Sequence, residues 1–266
     1  MPILGIDYEK CNNCDACMQC MHIKRDTEQN KVIFDDPQNL CDSCGRCISR
    51  CRVDAILYED FEEMPTFEGV QDPSTLISYE MLHKFMISKR SIRGFKSKKI
   101  PRNIMEKVLK TMKYAATGAN IRTLRCTIIS DEKKIKKLSG AVMDTLISAN
   151  TPGYSETLKR AKEIGSDRIF YNAPHVVIIH SKNPNDSTNA AIAITSAMLI
   201  AQSLGLGSCW IGLARGVLSS SKEIRENIAG VKGKIWGVFI IGYPAQKYYR
   251  VPARPDIKIK GLDELD

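Results

Sequence analysis

Residues 87–95 read Ile87-Ser88-Lys89-Arg90-Ser91-Ile92-Arg93-Gly94-Phe95. Lys89, Arg90, Ser91 and Arg93 fall within five positions, just after a helical pattern that brings Met81, Leu82, Phe85 and Met86 to one side. Cationic side chains, a hydroxyl and the backbone amides around a helix boundary converge readily on a small, highly charged anion. A solvated basic turn has the same letters. The choice between the two rests on what surrounds the segment.

Upstream of the helix, residues 61–75 carry acidic residues, Pro65, Gly69 and Pro73 without a sustained period, which reads as a linker. Downstream, Pro101 suits the first turn of a second helix, Ile104, Met105, Val108, Leu109 and Met112 mark one face of it, and Gly118 stops it. Thr117-Gly118-Ala119-Asn120 then leads to a strand over 126–129, with Cys126 in the core, and to a Lys-rich helix over about 132–148. Residues 150–172, with Pro152, Gly153 and Gly165, lack a period and predict a mobile lid over a pocket. A strand at 176–180, a buried helix at 190–204, a strand and tight turn at 208–212, a serine-capped helix at 219–228 and a β-rich run at 236–241 follow.

Eight of the ten cysteines lie within residues 11–51. They form two runs, Cys11-x2-Cys14-x2-Cys17-x2-Cys20 and Cys41-x2-Cys44-x2-Cys47-x3-Cys51. Three cysteines at two-residue gaps let one tight loop wrap three corners of a cubane, the fourth corner coming from farther along the chain. Zinc sites also use C-x2-C pairs but have no need of a third cysteine in the same cadence. Strands are expected at 31–34 and 55–58, one beside each run.

The chain has 266 residues and a net charge of +9. Residues 1–63 hold 7 Lys and Arg against 13 Asp and Glu, a net −6, which leaves +15 for the remainder. That asymmetry raises nucleic-acid binding, but no zinc-finger, helix-turn-helix or RNA-binding signature accompanies it, and few aromatics interleave with the basic residues. It suits instead an acidic redox module and a basic domain for anionic ligands. No segment reaches the roughly 18 apolar residues of a membrane span, and no export pattern precedes Cys11, so a cytoplasmic location is expected.

Residues 1–60 resemble bacterial two-cluster ferredoxins on the strength of the two cysteine runs. The resemblance implies crossed ligation, with Cys11, Cys14, Cys17 and Cys51 on one [4Fe–4S] cluster and Cys41, Cys44, Cys47 and Cys20 on the other. The first run departs from the usual spacing by one residue before Cys20, and Met21 and Arg52 stand where proline is usual. His22 is either a substitute ligand or a surface histidine beside the cluster.

The portion from about residue 78 to 260, within a domain expected over 76–266, resembles the FMN-dependent nitroreductase family through KRSIRGF at 89–95, ATGAN at 116–120, NAPHVVIIH at 172–180, LGLGSCWIG at 204–212, IIGYP at 240–244 and VPARP at 251–255. The resemblance implies an α+β fold with a mainly antiparallel mixed sheet flanked by helices, in a homodimer. It also implies that Lys89, Arg90, Ser91 and Arg93 hold the FMN phosphate and ribityl chain, joined by Arg254 and assisted by Arg250. Asn120 is expected at the flavin, and Cys209, Ile211 and Gly212 along its ring, with a backbone amide near Ile211 facing N5. After Asn120 this chain has Ile121, Arg122, Thr123 and Leu124 in place of the family's usual residues. Arg122 then either faces an anionic substrate or is simply exposed.

Together the two resemblances imply a ferredoxin–nitroreductase fusion. Clusters would pass single electrons to FMN from reduced ferredoxin, and FMN would give hydride from N5 to an electron-poor small molecule. The opposite direction, NAD(P)H to FMN to clusters to a protein acceptor, and a non-enzymatic electron-transfer or sensing module are the alternatives. No side chain is an evident general acid; Tyr171 and His175 are candidates to deliver a proton.

Overall fold

The computed structural model describes residues 3–59 and 72–265. Most of the expected linker, up to residue 71, lies outside them. The chain divides into two compact units, Met1–Leu76 with Ala116–Arg122, and Ile77–Ala115 with Thr123–Asp266.

The first unit is built on two antiparallel hairpin-like pairs. β1 (Ile3–Ile6), β2 (Ile23–Asp26), β3 (Lys31–Phe34) and β4 (Ile56–Tyr58) pair as β1 with β4 and β2 with β3. A short helix, α1 (Arg46–Arg50), follows the second cysteine loop. Its core is small: Ile3, Ile6, Ile23, Val32, Cys47, Ile48, Ala55 and Ile56, with five further cysteines packed partly against it. So little apolar burial leaves a domain of this size dependent on other constraints.

The second unit is α+β. α2 (Tyr79–Ile87) begins at Ser78, whose Oγ accepts the Met81 amide, and α3 (Arg102–Lys110) begins after Pro101. The sheet contains β5 (Arg125–Ile129), β6 (His175–Ser181), β7 (Gly207–Trp210) and β8 (Lys234–Gly242) in the order β5-β6-β8-β7, every neighbour antiparallel. Every residue of β6 is buried, which is why its sequence is a Val/Ile run rather than an alternation.

The strand period sorts that run between two helical layers. Val176 and Ile178 face Leu138 and Val142 of α4 (Glu132–Ser148), Leu158 of α5 (Ser155–Glu163), and the buried side of α7 (Gly212–Ser220). Val177 and Ile179 face Val108 of α3 and Ala190, Ile194, Ala197 and Ala201 of α6 (Ser187–Ser203). Gly237 on β8 lies where a Cβ would meet Ile194, so glycine sets how closely α6 rides the sheet.

Asp186, fully buried before α6, ties the strand ends together. Its carboxylate accepts from Ser181 Oγ at 2.5 Å, Thr123 Oγ1 at 2.6 Å, Asn189 Nδ2 at 3.0 Å and Asn183 Nδ2 at 3.1 Å. Trp236 Nε1 donates in turn to Ser181 Oγ at 2.8 Å. Burial pushes the Asp186 pKa up, but the donors Ser181, Thr123 and Asn189 outweigh it and hold the group below the usual carboxylate range.

Three expectations need correction. The segment 150–172 is no mobile lid: it contains α5, and Ile169 and Phe170 are core residues fixed by Asp167, which accepts both their amides and the Ser139 hydroxyl. The helix expected at 219–228 begins later, with Ser221 Oγ accepting the Ile224 amide at 3.3 Å and a single π turn over 224–228, and a separate, unexpected helix occupies 212–220. Gly212 and Gly216 weaken the helical signal there, but burial of Ala214, Val217 and Leu218 overrides their propensity. Cys126, expected in the core, is exposed as a residue on β5, while enclosure of the thiol itself pushes its pKa up to about 12.

His175 and His180 are buried neutral. Ile100 N donates to His175 Nε2 at 2.9 Å, so the proton sits on Nδ1, 2.6 Å from Ser130 Oγ. His180 Nδ1 faces the Lys232 carbonyl at 3.1 Å and therefore carries its proton, leaving Nε2 for the Thr127 hydroxyl. Burial lowers both pKa values, with Lys99 adding at His175 and Arg125 at His180. Depressed histidines mean that the folded state binds fewer protons than the unfolded one. Their stabilisation is full above about pH 6.5 and is lost as pH falls below it towards the folded values. Urea midpoints at pH 7.5 and 5.5 should show this loss, and His175→Asn should flatten it. Asp186 acts only at lower pH, below about 4.

Candidate functional site

The segment after α2 is held along the sheet as an extra edge. Gln202 Nε2 of α6 donates to Phe85 O and Ser88 Oγ, both at 2.9 Å, and fixes the helix end. Ser91 then bridges Ser208 of β7 in parallel, and Ile92 N donates to Ser208 O at 3.1 Å. Beyond it Phe95 bridges Pro244, Lys96 N donates to Tyr243 O at 2.9 Å, and Ala245 N donates to Gly94 O at 3.0 Å. A Cβ on Gly207 would lie 2.7 Å from Ile92 Cγ1, so only glycine permits this approach.

Lys89, Arg90, Ser91 and Arg93 open onto one cleft of about 400 Å3, closed by Thr195, Met198 and Leu199 of α6 and by Arg254 of the tail. No carboxylate lines it, and among the described residues none of these four cations has an acidic partner. Lys89 is half-buried, with Nζ 3.0 Å from Arg90 O and 3.5 Å from Ser208 O. Burial pushes its ammonium below the usual lysine range, against an opposing influence from Cys209. Arg90 lies over the Tyr248 ring and Arg93 over that of Tyr171, at 6.0 and 5.8 Å, arrangements that leave guanidinium edges for an anion. Uncompensated cations and a hydroxyl in one concavity make an anion site.

Five of the sequence-predicted residues thus meet: Lys89, Arg90, Ser91, Arg93 and Arg254. Thr195, Met198 and Leu199 escaped sequence reasoning, although their i, i+3, i+4 spacing on an apolar helix marks one stripe. Cys209 and Ile211 sit at the end of β7 in the core, outside the lining of that cleft, and Gly212 opens α7. A backbone amide near Ile211 is expected to face N5; that of Ile211 itself donates to Val238 O at 2.8 Å and is engaged within the sheet. His175, a proposed proton donor, is pinned neutral by the Ile100 amide and lines a different cleft. Asn120 belongs to the first unit, where its Nδ2 donates to Ser43 O at 2.6 Å.

In that unit the cysteines gather as two groups. Cys11, Cys14, Cys17 and Cys51 line one pocket with Ile6, Val32 and Ile56. Burial raises the Cys17 pKa, and the thiolate charges of Cys51, Cys11 and Cys14 add to it. Burial also pushes Cys47 up to about 11, with Cys20, Cys41 and Cys44 contributing, and Cys41 feels Cys20 and Cys44 in the same way. Cys20 therefore stands with the second run despite its shortened gap. Ala55 N donates to Cys51 Sγ at 3.1 Å, and Asp36 takes the Leu40 and Cys41 amides at 2.8 and 2.9 Å. His22 Nδ1 lies 3.4 Å from Asp36 Oδ1. Among the described residues no three His, Cys, Asp or Glu side chains form a site for a single metal ion.

A sequence model of the Nitroreductase family matches residues 86–243. Three FMN-bound crystal structures share the fold. A nitroreductase from Bacteroides fragilis is 24% identical, with a TM-score of 0.55, over 67% of this chain and 98% of the other. One from Desulfitobacterium hafniense is 18% identical, with a TM-score of 0.54, over 65% and 93%. Oxidized iodotyrosine deiodinase with 3-iodo-L-tyrosine is 20% identical, with a TM-score of 0.53, over 68% and 98%. No curated protein sequence matches the chain.

Gly207→Ala should destabilise the protein by about 1–3 kcal/mol through overpacking against Ile92. Adding Ile92→Ala, which removes two of the three crowding atoms, should recover part of that loss in a double-mutant cycle read by urea unfolding.

Proposed function

The chain belongs to the Nitroreductase family, and from that premise we propose that it is an FMN-dependent oxidoreductase whose N-terminal cysteines hold two [4Fe–4S] clusters. The observation that carries this reading is the cleft of Lys89, Arg90, Ser91, Arg93 and Arg254, a hydroxyl and four cations without an acidic partner among the described residues, inside the family's matched region and its tail. FMN, when bound, supplies hydride transfer from N5 to an electron-poor small molecule such as a nitroaromatic, a quinone or an activated alkene, and the clusters supply electrons singly.

The residues of the cleft fit the phosphate end of FMN. Arg90, Arg93 and Arg254 neutralise and orient the anion, and Ser91 donates its hydroxyl. A phosphate beside Lys89 offsets the burial that depresses its pKa and keeps it cationic. Thr195, Met198 and Leu199 shield one wall from water. The first turn of α7, beginning at Gly212, has amides beyond that of Ile211 to offer to a flavin ring.

Cys11, Cys14, Cys17 and Cys51 would hold one cluster, and Cys20, Cys41, Cys44 and Cys47 the other. Burial, and after it the repulsion of neighbouring thiolates within each quartet, raises these pKa values, and a shared cationic cluster would offset both. The domains are then residues 1–60, a linker at 61–75, and residues 76–266. A homodimer suits α2, which leaves Tyr79, Met81, Leu82, Met86 and Ile87 exposed. No helix among the described residues is long and apolar enough to cross a membrane, and oxygen-labile clusters suit the reducing cytoplasm.

Reduced ferredoxin as donor, with electrons passing from clusters to FMN, is the preferred direction. The net −6 of residues 1–63 also suits docking to a basic protein acceptor, which favours NAD(P)H as donor and flow outward. Anaerobic stopped-flow reduction with NADH, NADPH and reduced ferredoxin in parallel separates the two. Fast flavin reduction by NAD(P)H alone overturns the preferred direction. Absence of turnover with every donor and every electron-poor acceptor overturns the enzyme reading in favour of an electron-transfer or sensing module. Arg90→Ala should weaken FMN retention by about 1.5–3 kcal/mol while far-ultraviolet circular dichroism stays unchanged. Unchanged flavin content would remove the phosphate assignment.

A further inference from the structure

The two cysteine loops share one backbone but are clasped by different residues. In each, the second residue after the first cysteine and the first after the second cysteine are left-handed. These are Asn13 (φ 54°) and Asp15 (φ 59°) in one loop, and Ser43 (φ 51°) and Gly45 (φ 76°) in the other. The residue types are those that tolerate this conformation best, serine excepted. In the first loop the carbonyl of Asn13 accepts a hydrogen bond from Arg25 Nη2 at 3.2 Å. In the second, the carbonyl of the matching Ser43 accepts one from Asn120 Nδ2 at 2.6 Å, with Asp42 O 3.4 Å from the same nitrogen. The amide's orientation is set from its other side, where Arg122 Nη2 donates to Asn120 Oδ1 at 3.3 Å. Arg25 lies on β2, close to its loop in sequence. Asn120 arrives from 77 residues beyond Ser43, on the stretch 116–122 that packs with the first unit. Ala119 and Asn120 are themselves left-handed, at φ 47° and 51°, so the stretch adopts an uncommon shape to make this contact.

We infer that Asn120 is a positioning residue for the second cysteine loop, holding the turn between Cys41 and Cys44 as Arg25 holds that between Cys11 and Cys14. The inference rests on the cluster reading of the quartets. A donor outside the turn fixes the Ser43 peptide, and with it the directions in which the flanking thiolates point. The clasp is a neutral amide in the second loop and a guanidinium in the first. A charge introduced at position 120 therefore acts more strongly on one site than on its counterpart.

The test uses the full chain, purified anaerobically. Wild type should carry about eight iron and eight sulfide per chain; no iron after reconstitution overturns the cluster reading itself, before any variant is made. Asn120→Ala should release one cluster to a chelator roughly three- to tenfold faster than wild type, as loss of one hydrogen bond implies, with FMN content unchanged. Arg25→Ala should accelerate the other phase and so identify it. Asn120→Asp, whose carboxylate repels the Ser43 carbonyl, should lower the midpoint potential of one cluster signal in an electron paramagnetic resonance titration and leave the other in place. Loss of FMN with both release phases at wild-type rates assigns Asn120 to the flavin and overturns the inference. Equal acceleration of both phases, or equal displacement of both potentials, overturns it as well.

Discussion

One missing methyl group organises the second unit. Gly207 lets Ile92 pack onto β7 at a distance that any side chain would forbid, and the two hydrogen-bonded bridges on either side depend on that approach. Because Ile92 is buried there, Lys89, Arg90, Ser91 and Arg93 are turned towards solvent and towards α6 together. Four like charges in one concavity repel, so without an anion the arrangement is held against its own electrostatics by packing of the intervening residue. Where that packing is tight, the cations need no carboxylate to place them and remain available to a ligand.

The rest of the unit supplies rigidity to that edge. β6 and β8 are buried on both faces, and the alternation of Val176–Ile179 assigns one face to α4, α5 and α7 and the other to α3 and α6. Asp186 shows how the strand ends are closed without a cation: four neutral donors surround one ionised carboxylate. Such a network tolerates burial because every lone pair finds a proton. The first unit follows another logic. Its apolar core is small, and its loops are shaped by left-handed residues and side-chain clasps rather than by packing.

What the sequence made legible follows from which interactions are local. Helix α4 was predicted over the residues where it lies, since its period and its Asp131 cap are contained in one unbroken stretch, 131–148. The cationic cleft was legible because four of its five predicted residues are adjacent in sequence and the fifth stands in a conspicuous Arg-Pro pair. Spacing showed the two cysteine runs, while the crossed grouping came from the resemblance to two-cluster ferredoxins. The failures share a cause: tertiary contact overrode a local signal. Glycines concealed α7, whose burial makes it helical all the same. Prolines and glycines made 150–172 look loose, though Asp167 and Phe170 anchor it. Asn120 is a separate case: no local feature reveals that its side-chain amide donates to a backbone carbonyl 77 residues away.

The sheet also has an unguarded side. Among the described residues β5 pairs with β6 alone, and its outer row of backbone groups runs beside Ile128, 41% exposed. An open strand with an apolar residue on show is a template for another strand. Arg125 at its start is the one charged residue along it. Copies that meet at high concentration have a route to intermolecular β-pairing along that edge, and dilution disfavours it.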